Sequence, residues 1–261
     1  MQGRLGADGP VVLVTLPCPD AVTQVTWRPG PEFGLYQHGV PVLSREDVRW
    51  LFRLLVGQRP SGIFRVRSGM PPGGGAGAST AARLGLIRAM AEPLGGLWPE
   101  IEAILCVAME GASDPLMLER PERMLWASRL GQVVERLPAL PAFDVVGGFD
   151  GPGRRTDAGD ARFADISDLV ARWMAAGGDR REIAEIASAS AMRNHLVRGG
   201  RDPGRILTLA RDLGALGIAA AHTGSARAML FEPGRAPDGA ASALQAAGLS
   251  GVRRFRVGGK G

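Results

Sequence analysis

One stretch constrains this chain more than any other. Residues 69–82 read GMPPGGGAGASTAA and run straight into the helix-forming residues 83–91. From Gly73 through Gly74, Gly75, Ala76 and Gly77 to Ala78 there is almost no side chain, so backbone can approach a bulky anion and adopt positive φ. Ser79 and Thr80 stand at the expected helix start. The unpaired N–H groups of a first helical turn favour negative charge. A bare loop feeding such a turn makes a phosphate cradle. The same composition also suits a plain flexible connector, and on these residues alone both readings stand.

Exclusions sharpen the first of them. The only lysine is Lys260, so the loop is not a GxxxxGK[ST] element, and chemistry that needs an internal lysine is ruled out. No cationic side chain lies in the loop, which leaves backbone dipoles and a metal ion to neutralise phosphate. Gly73, Gly75 and Ala78 fit a loose GxGxxA pattern, but Met70-Pro71-Pro72 precedes them where a dinucleotide fold needs a strand.

At 261 residues, 45% hydrophobic and 22% charged, the chain suits one large soluble domain or two small ones. Two cysteines, Cys18 and Cys106, exclude a disulfide scaffold. No apolar run approaches the ~20 residues that span a bilayer. Residues 1–9 hold Arg4 and Asp8 and lack an apolar leader core. A cytoplasmic protein without membrane contact is expected. The net charge is +5, with arginines spread among acids, as on a solvated surface. A basic RNA-binding protein stays as an alternative class. It is disfavoured because aromatic residues make up 5% and do not interleave with arginine.

Periodicity predicts strands at 11–16, 22–27 and 62–66, a turn over 29–34, and a loop around His38. A helix is expected after Ser44, whose hydroxyl and the Asp47 carboxylate form a capping box. Further helices are expected at 83–91, 100–109 and 121–137. Pro138 and Pro141 suggest a boundary. After it come a strand at 143–146, a mobile loop over 147–159, and helices at 162–176, 180–197 and 203–214. A strand at 217–221, a turn at His222-Thr223-Gly224-Ser225, a strand at 228–231, a helix at 238–247 and a strand at 252–257 complete the pattern. This mixture, without strict alternation, is α+β.

Three patches and one shorter stretch carry a resemblance. The run Pro71 to Ala81 resembles the second motif of the GHMP kinase superfamily, roughly P-x-G-x-G-L-[GA]-S-S-[AT]-A, with Ala76 for the usual larger apolar residue and Ala78 for the first serine. Glu110 to Leu116, EGASDPL, resembles the EGHPDN stretch of homoserine kinases. AHTGSARAMLF, ending at Phe231, is similar to the third motif in its AHSGT-x-x-GLL form, found in the L-threonine kinases of cobalamin biosynthesis and salvage. Ala191-Met192-Arg193-Asn194-His195 matches their SA-x-x-NQ stretch, with His195 for glutamine.

The resemblance implies a two-domain GHMP kinase fold. Residues 1–140 would form an ATP-binding domain like the second domain of ribosomal protein S5, and 141–261 a ferredoxin-like domain. It implies a kinase acting on a hydroxyl group, most nearly L-threonine, with homoserine or an isoprenoid alcohol as alternatives, or a non-catalytic protein of this fold. ATP would lie on Pro72, Gly73, Gly74, Gly75, Ala76, Gly77, Ala78, Ser79 and Thr80. Mg²⁺ would bridge Ser79 and Glu110. Asp114 and Ser79 would be catalytic, and Asp114, His222, Thr223, Gly224 and Ser225 would face the alcohol or amino-acid substrate. A homodimer is a further expectation. Members of the threonine-kinase branch open with a strand carrying PGxCGELxQG. Gln2 and Gly3 match only its tail, so an open sheet edge is expected here, and an upstream-extended chain is expected to be more stable and more active.

Overall fold

The capping box forms as the sequence predicts. Asp47 N–H donates to Ser44 Oγ at 2.9 Å, and Ser44 N–H donates to Asp47 Oδ2 at 2.7 Å. They start helix α1 (Arg45–Val56), which buries Val48, Leu51 and Phe52. The computed structural model describes residues 1–153, 157 and 159–259.

Around α1 lies a three-stranded sheet in the order β3 (Thr23–Arg28), β5 (Gly62–Ser68), β4 (Phe33–His38). The segment 33–38 was expected to be turn and loop, with His38 in the loop. It is instead a strand that pairs parallel with β5, and His38 is its last residue. Phe33 packs edge-on to Phe64, which anchors the strand and which its neighbouring Gly30, Pro31 and Gly34 conceal in the sequence. Helices α2 (Ala78–Ala91) and α3 (Pro99–Glu110) complete this region, whose core includes Leu51, Phe52, Phe64, Leu86, Ile87 and Trp126.

A second sheet runs β1 (Gln2–Arg4), β2 (Val11–Leu13), β6 (Met124–Ala127), β7 (Gln132–Arg136). The helix expected over 121–137 is thus a short turn at Pro121–Arg123 followed by a hairpin. Gly131, at φ 66°, closes it. All four residues of β6 are buried and all five of β7 exposed. The apolar pattern of this run suits a buried helix segment as well, and its shortness and the glycine turn beyond it favour the strand. The far edge of β1 is not open. Arg4 N–H donates to Ala164 O, Ile166 N–H donates to Arg4 O, and Gln2 N–H donates to Ser190 Oγ.

The third sheet runs β11 (Ser250–Val257), β8 (Phe143–Phe149), β10 (Ala226–Phe231), β9 (Gly217–Ala220). Its helices are α4 (Ser167–Ala175), α5 (Arg180–Arg198), α6 (Gly204–Asp212) and α7 (Ala240–Ala246). Residues 147–149, expected in a mobile loop, belong to β8. Residues 154–156 and 158 of that expected loop lie outside the described residues. One apolar core joins Val12, Leu125 and Ala127 to Phe143, Val145, Leu169 and Ile183, so it crosses residue 140.

Candidate functional site

A cavity of about 580 Å³ lies between the first half of the chain and the third sheet. One wall is the glycine loop entering α2. Gly73, Gly75 and Gly77 have φ of 73°, 75° and 75°, in the left-handed region that glycine adopts freely. Gly77 is the N-cap of α2, and no side chain caps that helix or adds an acid to its first turn. Pro72, Gly73, Gly75, Ala76, Gly77, Ala78, Ser79 and Thr80 all line the cavity. Gly74 does not; it is buried beneath the loop.

Gly74 instead meets the late turn. Ala226 N–H donates to Gly74 O at 2.8 Å. A Cβ on Gly224 would lie 2.1 Å from Gly74 carbonyl carbon and oxygen. The two glycine turns therefore interlock backbone to backbone. Of the expected substrate-facing turn, His222 and Thr223 reach the cavity, whereas Gly224 forms the interlock and Ser225 is buried beside it. Ser225 O accepts from Asp150 N–H at 2.8 Å, while its hydroxyl has no partner among the described residues.

The acidic pair sits where α3 ends. Gly111 caps α3 in the left-handed region, so Glu110 and Asp114 do not share a helical face. Thr80 joins them. Its hydroxyl donates to Glu110 Oε1 at 2.8 Å, and Asp114 N–H donates to Thr80 Oγ1 at 3.2 Å. Thr80 is thus a buried tie between α2 and the acidic loop. Trp126 Nε1 donates to Ser113 O at 2.8 Å, and Ser113 N–H donates to Ser128 O at 2.8 Å, which fix the loop's approach. Burial, then the negative charge of Glu110, pushes the Asp114 carboxyl up to about 6, against a hydrogen bond from Thr80. Burial also raises Glu110, against the pull of Arg83 and the hydroxyls of Ser79 and Thr80.

Sequence reasoning missed Arg83. Its Nη1 donates to Ser79 Oγ at 2.5 Å and lies 3.2 Å from Glu110 Oε2, with Nη2 3.7 Å from Asp47 Oδ2. The residues expected to share Mg²⁺ are therefore adjacent, but a guanidinium already stands between them. As it is arranged, this pair does not fit a metal ion that it ligates directly. The signal was available, since Arg83 is one helical turn beyond Ser79 and so shares its face.

His222 is buried and stacked on Phe163, with ring centres 6.1 Å apart. Burial, reinforced by positive charge that includes Arg198 and Arg227, holds its imidazole well below the usual histidine range, so it is neutral at neutral pH. Its Nε2 has no partner among the described residues. Asn194 Nδ2 donates to His222 O at 3.1 Å and so braces the turn. Arg227, also on the cavity wall, donates through Nη1 to the carbonyls of Ala221, Gly224 and Ala226. His195, four residues along the family-like stretch from Ala191, points elsewhere, with Nε2 3.8 Å from Asp202 Oδ1. Cys18 and Cys106 are both free thiols. No helix among the described residues is long and apolar enough to cross a membrane.

No protein-family profile matches the sequence, and no curated protein matches it significantly. Solved structures do match the fold. The mevalonate kinase of L. major, in complex with R-mevalonate, superposes with a TM-score of 0.67 at 15% identity, over 95% of this chain and 89% of that one. The homoserine kinase of Cytophaga hutchinsonii gives 0.59 at 15% identity, over 99% and 93%. Mevalonate pyrophosphate decarboxylase of Streptococcus pyogenes gives 0.61 at 11% identity, over 100% and 92%. The chain has the mixed helix-and-sheet GHMP kinase fold along nearly its whole length. At these identities the likeness speaks for the fold.

Proposed function

We propose that this chain is an ATP-dependent kinase that phosphorylates the hydroxyl of a small molecule, with L-threonine as its first candidate acceptor. Homoserine and isoprenoid alcohols are the next candidates. One observation carries the reading: a bare glycine loop and an uncapped helix start lie on the same cavity as a carboxylate raised to about 6. The loop suits phosphates, and the carboxylate suits a hydroxyl proton. The mevalonate and homoserine kinases that share this fold are named for alcohol substrates, which agrees with the reading.

In this reading the triphosphate lies on the amides of the loop and of the first turn of α2. The acceptor enters between Asp114 and the turn at His222 and Thr223. Its oxygen attacks the γ-phosphorus in line, the bond from phosphorus to the ADP oxygen breaks, and the hydroxyl proton passes to Asp114. Positioning and preorganised charge supply most of the acceleration. His222, neutral and buried at the cavity wall, brings no charge to the acceptor.

The test is phosphoryl transfer from labelled ATP to L-threonine, L-serine, L-homoserine and mevalonate, with Asp114→Asn beside the parent. Transfer to one acceptor that falls at least ~100-fold in the variant supports the reading. Nucleotide hydrolysis that no acceptor stimulates, with the same rate in both proteins, would sink it.

A further inference from the structure

We infer that Arg83 is the cation of this site, standing where a metal ion would otherwise be ligated, so that nucleotide phosphate is met by a guanidinium and by loop amides. This rests on the nucleotide reading of the cavity. It goes beyond it by naming a binding residue that the motif pattern does not contain, and by removing metal ligated by Ser79 and Glu110 from the site.

The argument begins with ligand accounting. Ser79 Oγ accepts from Arg83 Nη1 at 2.5 Å. Glu110 Oε2 lies 3.2 Å from the same nitrogen, and Glu110 Oε1 accepts from Thr80 at 2.8 Å. Every side-chain oxygen of the expected metal pair is therefore engaged by a protein donor. Mg²⁺ demands near-octahedral oxygens at about 2.1 Å. A dication seated on Ser79 and Glu110 would sit against the guanidinium, and like charges at that separation repel strongly where water is scarce. Among the described residues no group of three or more histidine, cysteine, aspartate or glutamate side chains is placed to hold a metal ion by itself.

Arg83 is also built in rather than accidental. Its side chain is 12% exposed, and it lines the cavity. Asp47 is fixed by the capping box at the start of α1, and Glu110 by Thr80, so two separate elements hold the guanidinium from behind. These two carboxylates outnumber Arg83 by one charge, which keeps the guanidinium in place instead of in solvent. Its Nε is buried without a partner among the described residues. Arginine's planar fork suits phosphate oxygens.

Manganese is the probe for the cation position, because Mn²⁺ takes oxygen ligands as Mg²⁺ does and is visible by electron paramagnetic resonance. Mn²⁺ alone would be titrated into the parent, Arg83→Gln and Arg83→Lys. Nucleotide affinity would be measured calorimetrically with ATP, in Mg²⁺ and in excess EDTA. The parent is expected to bind Mn²⁺ at least tenfold more weakly than Arg83→Gln, in which Ser79 and Glu110 are released. Arg83→Lys keeps the charge, so it should exclude Mn²⁺ as the parent does, and it guards against a misfolded glutamine variant. ATP affinity of the parent is expected to change less than fivefold on adding EDTA, whereas Arg83→Gln should lose at least tenfold in EDTA. Equal Mn²⁺ affinity in parent and Arg83→Gln overturns the inference. So does a hundredfold loss of ATP affinity in the parent when EDTA is added. If ATP binds neither protein under either condition, the kinase reading fails, and the assignment of Arg83 to nucleotide phosphate fails with it. The Mn²⁺ comparison would then still decide whether Arg83 holds the cation position.

Discussion

At the scale of single residues, Asp114 ties chemistry to stability. Its folded pKa, about 6, lies above its ordinary 3.8. Below 3.8 both folded and unfolded chains hold the proton. Between 3.8 and 6 the folded chain holds it and the unfolded chain does not. Above 6 the folded chain carries an ionised carboxyl that burial penalises. Folding stability from this group is therefore least above pH 6 and recovers as pH falls toward 4. Full desolvation would correspond to about 3 kcal/mol, and partial water access lowers that. Asp114→Asn should raise the Tm at pH 8 by several degrees and leave it almost unchanged at pH 4. The parent's kcat should fall as pH drops through 6, as the base takes up its proton. A variant that melts lower at pH 8 than the parent would contradict this account. Asp114 and Glu110 were legible in the sequence because EGASDPL stands out beside the glycine loop. Arg83 was legible only in part: its place one helical turn beyond Ser79 sets the two on one face, but only the fold brings it against Glu110 and Asp47.

Elements with a local chemical signature could be read, and those defined by partners could not. The Ser44 capping box and the entry of α2 follow from adjacent residues alone. Strand β4 and the β6–β7 hairpin depend on what they pair with, and β4 is held by a parallel neighbour that follows it by two elements. The capping box also links an element to the site, since Asp47 both caps α1 and approaches Arg83. Two substitutions separate these jobs. Ser44→Ala removes a cap and should cost about 1 kcal/mol, or about 2–4 °C in Tm, with ATP affinity unchanged. Asp47→Asn weakens the cap and also releases one side of the Arg83 cage, so it should lower Tm similarly and change ATP affinity as well. Thermal melts paired with calorimetry read both. If the two variants share one affinity, Asp47 is a cap and nothing more.

On the scale of the whole molecule, the cavity exists because the turn near residue 224 closes onto the loop near residue 74, which lie in opposite halves of the sequence. No periodicity announces such a contact. The family resemblance placed the first segment at the nucleotide and the second at the substrate, but the backbone interlock between them is a property of the fold. It gives the glycine at 224 a reason that is steric and not conformational, since its φ is not among the positive values. An added Cβ would meet Gly74 carbonyl carbon and oxygen at 2.1 Å and Gly75 nitrogen at 2.2 Å. These are backbone atoms, so neither side can yield by changing rotamer. Overpacking of this kind costs about 1–3 kcal/mol. Gly224→Ala should therefore push the loop at 73–75 away from the third sheet and break the hydrogen bond from Ala226 N–H to Gly74 O. The loss should appear twice, as a Tm lower by about 2–12 °C and as ATP binding weakened at least tenfold. Gly239→Ala is the control. Nothing lies within 4 Å of the Cβ it would add, so it should change neither quantity. A Gly224→Ala protein with parental Tm but weakened ATP binding would mean that the loop moves at no cost, and the interlock would then serve the site without holding the halves together.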